Sequence, residues 1–499
     1  MLLAASYRSR HRSARADPPG RPGALVTVCL AVGLATLGST IVNIALPRMG
    51  QDMHTGLAGL QWVANAYMVI YAALLLPMGG LTDRVGRRGL FLGGTGILVV
   101  GSAWCAAAPD LALLLAGRVV QAAGAAGMVP ATLALIPAEL PDRRRRARAI
   151  GFWAGAASVG MAAGPLAGGV ILLAGGVILD VAGWRAVFAF VTLAGAAMLA
   201  MGWRLIDPAR HGRTAGTGSA DAAGATAVTV FLAALSFALI QGQPAGWSSS
   251  AVLIAFAVAA SSLAAFIVVE RLREGHGTQP LMPLTAWRIP RFVAASVGGI
   301  SYGIALTGLL FYLSLFLQQV QGRSALGAGL VFLPLTGAMA ITGPFAGEFT
   351  ARYGLRTMAV CGMTVAAAGV LAVAVISPGE STASLAWRLA VAGVGMGMMS
   401  TPLSGAMITA LPDGSAGLAS AMYNSARQAG SVLGVTLLGV ILAAGRAPAG
   451  VTAAGHPGQA FTDGLHQAML AAGLTLLVSA AASAVLMPGR RSFTPGGQR

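Results

Sequence analysis

Two arginines, Arg118 and Arg427, each stand well inside a long apolar run. A charge at mid-bilayer costs about 2.5–3.5 kcal/mol on insertion scales, so each guanidinium needs polar company or water. Both have it at helical spacing. Gln121 follows Arg118 by three positions, and Asn424, Arg427 and Gln428 stand at i, i+3 and i+4, on one helix face. Thr40 and Asn43, in the first apolar run, add two more polar groups at depth. Neither patch holds a nucleophile beside a base. The chemistry is recognition: a fixed cation flanked by amides can grip a polar or anionic group. Thr40, Asn43, Arg118, Gln121, Asn424, Arg427 and Gln428 are therefore the candidate walls of a substrate cavity.

A second cluster lies between apolar runs. In GGLTDRVGRR (Gly79–Arg88), Asp83 stands among Arg84, Arg87 and Arg88, with Gly79 and Gly86 permitting a tight turn. A third is made of small residues: Gly160, Gly164 and Gly168 recur every four positions beside Pro165. Such spacing thins one face of a helix so that a neighbour can approach closely, and the proline removes a backbone bond and bends the helix.

The elements that carry these residues must be membrane helices. The chain has 499 residues, 56% hydrophobic and only 9% charged, against about 25% charged in soluble domains. That excludes a cytosolic enzyme. A span needs about 20 apolar residues, and the sequence supplies fourteen such runs, including one over residues 149–173. All 32 basic residues are arginine. With the N-terminus cytoplasmic, 25 of them fall on inside segments, four outside and three within spans. This bias sets the orientation, with both termini inside. It also accounts for the net charge of +17 without a nucleic-acid partner. No lysine is present, so no phosphate-binding loop ending in Gly-Lys exists and an ATP-driven pump within the chain is excluded. Cys29, Cys105 and Cys361 sit in apolar runs without metal-ligand spacing, and no cofactor or metal is expected.

GGLTDRVGRR has a degenerate copy, GEFTARYGLR (Gly347–Arg356), 268 residues on, with five of ten positions identical. The offset spans eight helices rather than six, which implies two similar six-helix halves with two helices inserted between them. Halves repeated in parallel around a central site form a known transporter plan.

The motifs themselves carry a family resemblance. GGLTDRVGRR resembles the loop motif between spans two and three of the major facilitator superfamily. LLLAGRVVQAAGAAG (Leu113–Gly127) resembles its fourth-span motif, and GMAAGPLAGG (Gly160–Gly169) its fifth-span antiporter motif. LGSTIVNIALP (Leu37–Pro47) and SAMYNSARQAGSVLG (Ser420–Gly434) resemble signatures of the 14-span drug:proton antiporter branch. The resemblance implies an all-α membrane protein of the major facilitator fold, with fourteen spans. Its parts would be a cytoplasmic tail (1–23), an N-terminal six-helix bundle (24–204), a linker region with two extra helices (205–291), a C-terminal six-helix bundle (292–487) and a second tail (488–499).

It also implies roles. Gly79, Asp83, Arg84, Gly86, Arg87 and Arg88 would form a gating latch between bundles, with Arg143 to Arg146 and Arg148 as possible partners of Asp83. Gly160, Gly164, Pro165 and Gly168 would form a hinge, and the activity would be proton-coupled export of a drug-like or antibiotic amphiphile across the cell membrane.

One departure bears on cargo. Gly38 stands where the branch carries an acid, and Glu139, Glu270 and Glu348 fall at span ends rather than at mid-depth. A cavity with two arginines and no acid favours a neutral or anionic amphiphile over a lipophilic cation. An importer of the same fold is the alternative, against which the Gly-Pro motif weighs. A non-transporting sensor or enzyme would need paired acids or histidines at mid-depth, and the six histidines are scattered.

Overall fold

The structure is a computed structural model that describes residues 22–140, 183–208, 221–276, 281–411, 416–445 and 457–487, with scattered residues between 149 and 164. It is helical throughout these residues. Among the described residues, thirteen helices are long and apolar enough to cross a membrane. The expected fifth span, 149–173, lies mostly outside the described residues.

Helices α1 (Pro22–Thr40) and α2 (Val42–Asp52) run nearly end to end, because Ile41 keeps helical dihedrals between them. There follow α3 (Leu57–Val85), α4 (Arg87–Ala107), α5 (Leu111–Glu139) and α6 (Arg185–Leu205). Next come α7 (Ala222–Ala245) and α8 (Ser250–Gly275), then α9 (Pro290–Leu315), which continues into a π-helical turn at Phe316–Val320. The rest are α10 (Ala325–Val331), α11 (Leu333–Tyr353), α12 (Leu355–Val373), α13 (Thr382–Ala410), α14 (Ala416–Ala444) and α15 (Pro457–Leu486). Polar side chains close several starts: Asp110 accepts from Leu113 N at 2.8 Å, and Ser381 accepts from Ser384 N at 3.2 Å.

The packing is duplicated. In the first part of the chain α4 lies against α5 and α6, and α3 against α5; in the second, α12 lies against α13 and α15, and α11 against α13. The repeated loop is also duplicated in its backbone. Gly86 has φ +88° and Gly354 has φ +89°, a conformation that glycine adopts without a Cβ penalty. The two glycines are 268 residues apart, the offset of the sequence repeat.

Burial sorts the helices between core and lipid. The α9 span is 94% buried, whereas the α8 span is only 22% buried and shows Leu253, Ile254, Val268 and Leu272 outward. Helix α7 packs against α8 on one side and against both α3 and α14 on the other. The inserted pair thus sits on the seam between the two repeated parts.

Candidate functional site

Close helix approach sets the position of each polar group at depth. Gly101 on α4 lies so close to α5 that a Cβ would strike Gln121 backbone. Gln121 Nε2 can therefore donate to Ser102 Oγ at 2.8 Å, while its Oε1 accepts from Arg118 Nη1 at 2.7 Å. Arg118 Nε donates to Val63 O on α3 at 3.1 Å. Its guanidinium lies over the Tyr67 ring at 4.5 Å and faces Phe188 at 6.0 Å. Arg118 is 0% exposed. Expected on a cavity wall, its side chain is enclosed among an amide, a backbone carbonyl and aromatic faces.

Arg427 differs. It is only half-buried, and its Nη2 donates to Asn424 Oδ1 at 3.1 Å. Its guanidinium stands 5.8 Å from the Tyr302 ring on α9, and Tyr71 and Tyr423 lie within its electrostatic range. Glycines permit this too: a Cβ on Gly303 would strike Arg427 O, and one on Gly430 would strike Ile300 O, so α9 and α14 touch backbone to backbone. Gln428 is half-buried beside it.

The two arginines are linked through α3. Tyr67, under Arg118, stacks on Tyr71 with centroids 5.7 Å apart, and Tyr71 senses Arg427. Tyr302 and Tyr423 were not legible as site residues, since a tyrosine in an apolar run gives no sign of which way it faces.

Thr40 and Asn43 are buried, at 7% and 2% exposure. Thr40 Oγ1 turns back to Thr36 O and Leu37 O at 3.3 Å, and Asn43 offers its backbone oxygen to Ser314 Oγ at 2.9 Å. That last bond belongs to a set joining the repeats along the first turn of α2 and near the start of α3. Gln318 Nε2 donates to Ile44 O at 3.2 Å, Gln61 Nε2 donates to Tyr312 Oη at 2.9 Å and to Val435 O at 3.1 Å, and Tyr312 OH donates to Val435 O. At this same end a 330 Å³ cavity opens between Pro47, Gln51, Leu57, Leu315, Gln319 and Phe461. Neither arginine lines it.

Of the expected latch, the side chains of Gly79, Asp83 and Arg84 lie outside the described residues, as do Arg143 to Arg146 and Arg148. Gly86 makes the turn described above, and Arg87 is half-buried. Arg88 is anchored within its own repeat: Nε donates to Ile206 O at 2.8 Å, Nη2 to Trp203 O at 2.9 Å, and the guanidinium lies 5.1 Å from the Trp203 ring. Of the expected hinge, Pro165 and Gly168 lie outside the described residues. Gly160 and Gly164 meet α1 closely; a Cβ on Gly160 would lie 2.5 Å from Thr36 Oγ1, and one on Gly164 would collide with Thr40 Oγ1. Thr36 Oγ1 also donates to Ala157 O at 2.8 Å.

Comparison with known proteins agrees with this architecture. The family model described as Major Facilitator Superfamily matches residues 28–435. The chain is 32% identical over 423 residues to a methylenomycin A resistance protein of Streptomyces coelicolor, covering 84% of this chain and 86% of that one. It is 32% identical to the multidrug resistance protein Stp of Mycobacterium tuberculosis, over 84% of this chain and 75% of Stp. A solved structure of a bacterial homologue of the human lysosomal transporter Spinster superposes with a TM-score of 0.66, at 18% identity, over 96% of this chain and all of that one. Helices repeated around a central seam, the five sequence motifs and a family match over most of the chain converge on one conclusion: this multi-pass membrane protein belongs to the Major Facilitator Superfamily, alongside its 14-span drug:proton antiporter branch.

Proposed function

We propose that the chain is a secondary transporter that exports a drug-like or antibiotic amphiphile, neutral or anionic, from the cytoplasm by alternating access in exchange for protons. The bundles 24–204 and 292–487 rock about the seam, the 205–291 region riding on it. The protein lies in the cell membrane with both termini cytoplasmic, which places the Gln61–Tyr312–Val435 contact at the outer end. The names of the relatives, resistance and multidrug proteins, support export of such compounds.

The observation that carries the cargo class is the setting of Arg427: half-buried, bonded to Asn424 and faced by the Tyr302 ring, with Tyr71 and Tyr423 within reach of its charge. A cation walled by aromatic rings suits a flat apolar body bearing a carboxylate, phenolate or carbonyl. Asn424, Arg427 and Gln428 would contact cargo, with Thr40 and Asn43 opposite, while Arg118 and Gln121 hold Tyr67 in place behind them. Asp83 and its arginines serve as the inner latch, and the Gly160–Gly168 segment as the hinge.

Everted vesicles from an efflux-deficient host test this. They should accumulate an anionic fluorescent amphiphile in preference to ethidium, and Arg427→Ala should abolish that accumulation. Ethidium uptake that is lost in Arg427→Ala would overturn the cargo class. Accumulation that survives an uncoupler would remove proton exchange.

A further inference from the structure

Glu270, which stands at a span end in the sequence, meets a second acid, Asp221, where α7 begins and α8 ends. Glu270 is fully buried, although α8 is the most lipid-exposed span, and Asp221 is 5% exposed. One oxygen of each has an ordinary duty. Asp221 Oδ1 caps α7 by accepting from Gly224 N at 2.8 Å, and Glu270 Oε2 accepts from Met282 N at 3.1 Å.

The remaining oxygens converge. A Cβ built on Gly224 would lie 2.6 Å from Asp221 Oδ2 and 2.8 Å from Glu270 Oε1, so both crowd the one place where the helix lacks a side chain. The two carboxyls are within hydrogen-bonding reach of each other, and among the described residues neither of these oxygens receives a hydrogen bond, Arg273 meeting Asp221 Oδ2 as an ion pair only. Among the described residues the charged groups acting on Glu270 are Asp221 and Arg273, whose Nε stands 3.2 Å from Asp221 Oδ2. Glu274, one turn on, is engaged by Thr285 instead, and Arg271 and Arg288 are exposed. Among the described residues, two acids thus lie beside one cation in a buried site. Repulsion between like charges so placed is relieved when one of the pair binds a proton. A proton held between the carboxyls would give these two oxygens a hydrogen bond that none of the described residues gives them.

We propose that Asp221 and Glu270 form a proton-binding site, holding one proton between them, and that the transport cycle responds to its occupancy. Binding takes one proton from water to make an O–H···O bridge between the carboxyls; release returns it and leaves two anions facing Arg273. The location gives this a mechanical reading. Helix α7 rests on both repeats, and the Met282–Glu270 bond fastens the segment leading into α9, the most buried span. Repulsion between two anions loosens the start of α7 from the end of α8, at the join between the added pair and the second bundle. The second half of the proposal rests on the transport reading above; the first does not.

Infrared difference spectroscopy of the purified full chain in liposomes, titrated from acid to alkaline pH, tests the site itself. The wild type and Glu274→Gln should show a carboxylic C=O band that shifts in D2O and titrates away. Glu270→Gln and Asp221→Asn should lack it. No such band in the wild type, or an unchanged band in Glu270→Gln, overturns the site. Circular dichroism checks folding; should Glu270→Gln misfold, Glu270→Asp keeps the carboxyl and should move the band's titration, and an unmoved titration overturns the site equally. In the same liposomes, the pH dependence of anionic-dye transport should flatten to less than about twofold in Glu270→Gln. A wild-type pH profile in that variant overturns the link to transport. A wild type that moves no dye at all counts against the transport reading alone, since the infrared band is read independently.

Discussion

Arg118 and Arg427 show how two identical side chains at similar depth acquire different physics. Arg118 is fully enclosed and bonded to Gln121 and Val63. Removing it leaves Gln121 Oε1 in a dry interior without its donor, a cost of about 1–3 kcal/mol. Arg118→Ala is therefore expected to lower the melting temperature in detergent clearly, whereas Arg427→Ala should leave melting nearly unchanged and lower transport at least about tenfold, the loss of one charge-assisted contact. Equal thermal losses would show that both are structural. Glu380, in the α12–α13 turn, gives a pH-dependent case. Hydrogen bonds from Ser384 and Ser377 hold its carboxyl below the usual carboxylate range, with Arg388 adding to the effect. A depressed folded value means that its contribution is complete above the unfolded carboxylate range and disappears as pH falls through the folded one. Thermal stability should fall modestly in acid, and Glu380→Gln should remove that part of the dependence; an unchanged acid profile in the variant would remove Glu380 from the account.

At the scale of helices, glycine seams decide which faces meet. Gly160 and Gly164 seat the α1 backbone, and Gly430 and Gly434 seat that of α9 in the same manner: a Cβ on Gly434 would lie 2.7 Å from Ile304 O. The first pair is legible in sequence because Pro165 and Gly168 accompany it. The second is hidden, since its four-residue spacing sits in a segment already rich in small residues. Overpacking a filled helix contact costs about 1–3 kcal/mol. Gly430→Val should thus destabilise the protein by at least that much and displace Arg427 from Tyr302. Gly93→Val, where a Cβ meets nothing, should be neutral. Comparable melting of the two variants would refute the seam.

Over the whole molecule, the bonds from Ser314 to Asn43 and from Gln61 to Tyr312 and Val435 hold the repeats together at one end. If transport needs that end to open, a Ser314→Cys/Asn43→Cys pair bridged by a short bifunctional thiol reagent, with the native cysteines removed, should abolish dye transport until the bridge is reduced. Undiminished transport in the bridged protein would exclude opening there. Tyr312→Phe, which keeps packing but removes the bond to Val435, should instead alter rate without loss of fold, read as a shift in transport against unchanged melting.

What the chain determines on its own is what depends on neighbours along it. Apolar runs long enough for a bilayer, arginines biased to one side, a turn needing glycine at Gly86 and again at Gly354, and motifs read in order are all local. They were sufficient for the helices, the repeat and the family. Only the tertiary structure decided which arginine is enclosed and which is half open, that Tyr302 faces Arg427, and that Asp221 and Glu270 meet across 49 positions of sequence. Those facts turn on how helices rotate about their own axes and on which of them touch. In a chain apolar on every face, no hydrophobic stripe announces that rotation; it emerges from close packing of small residues on distant segments.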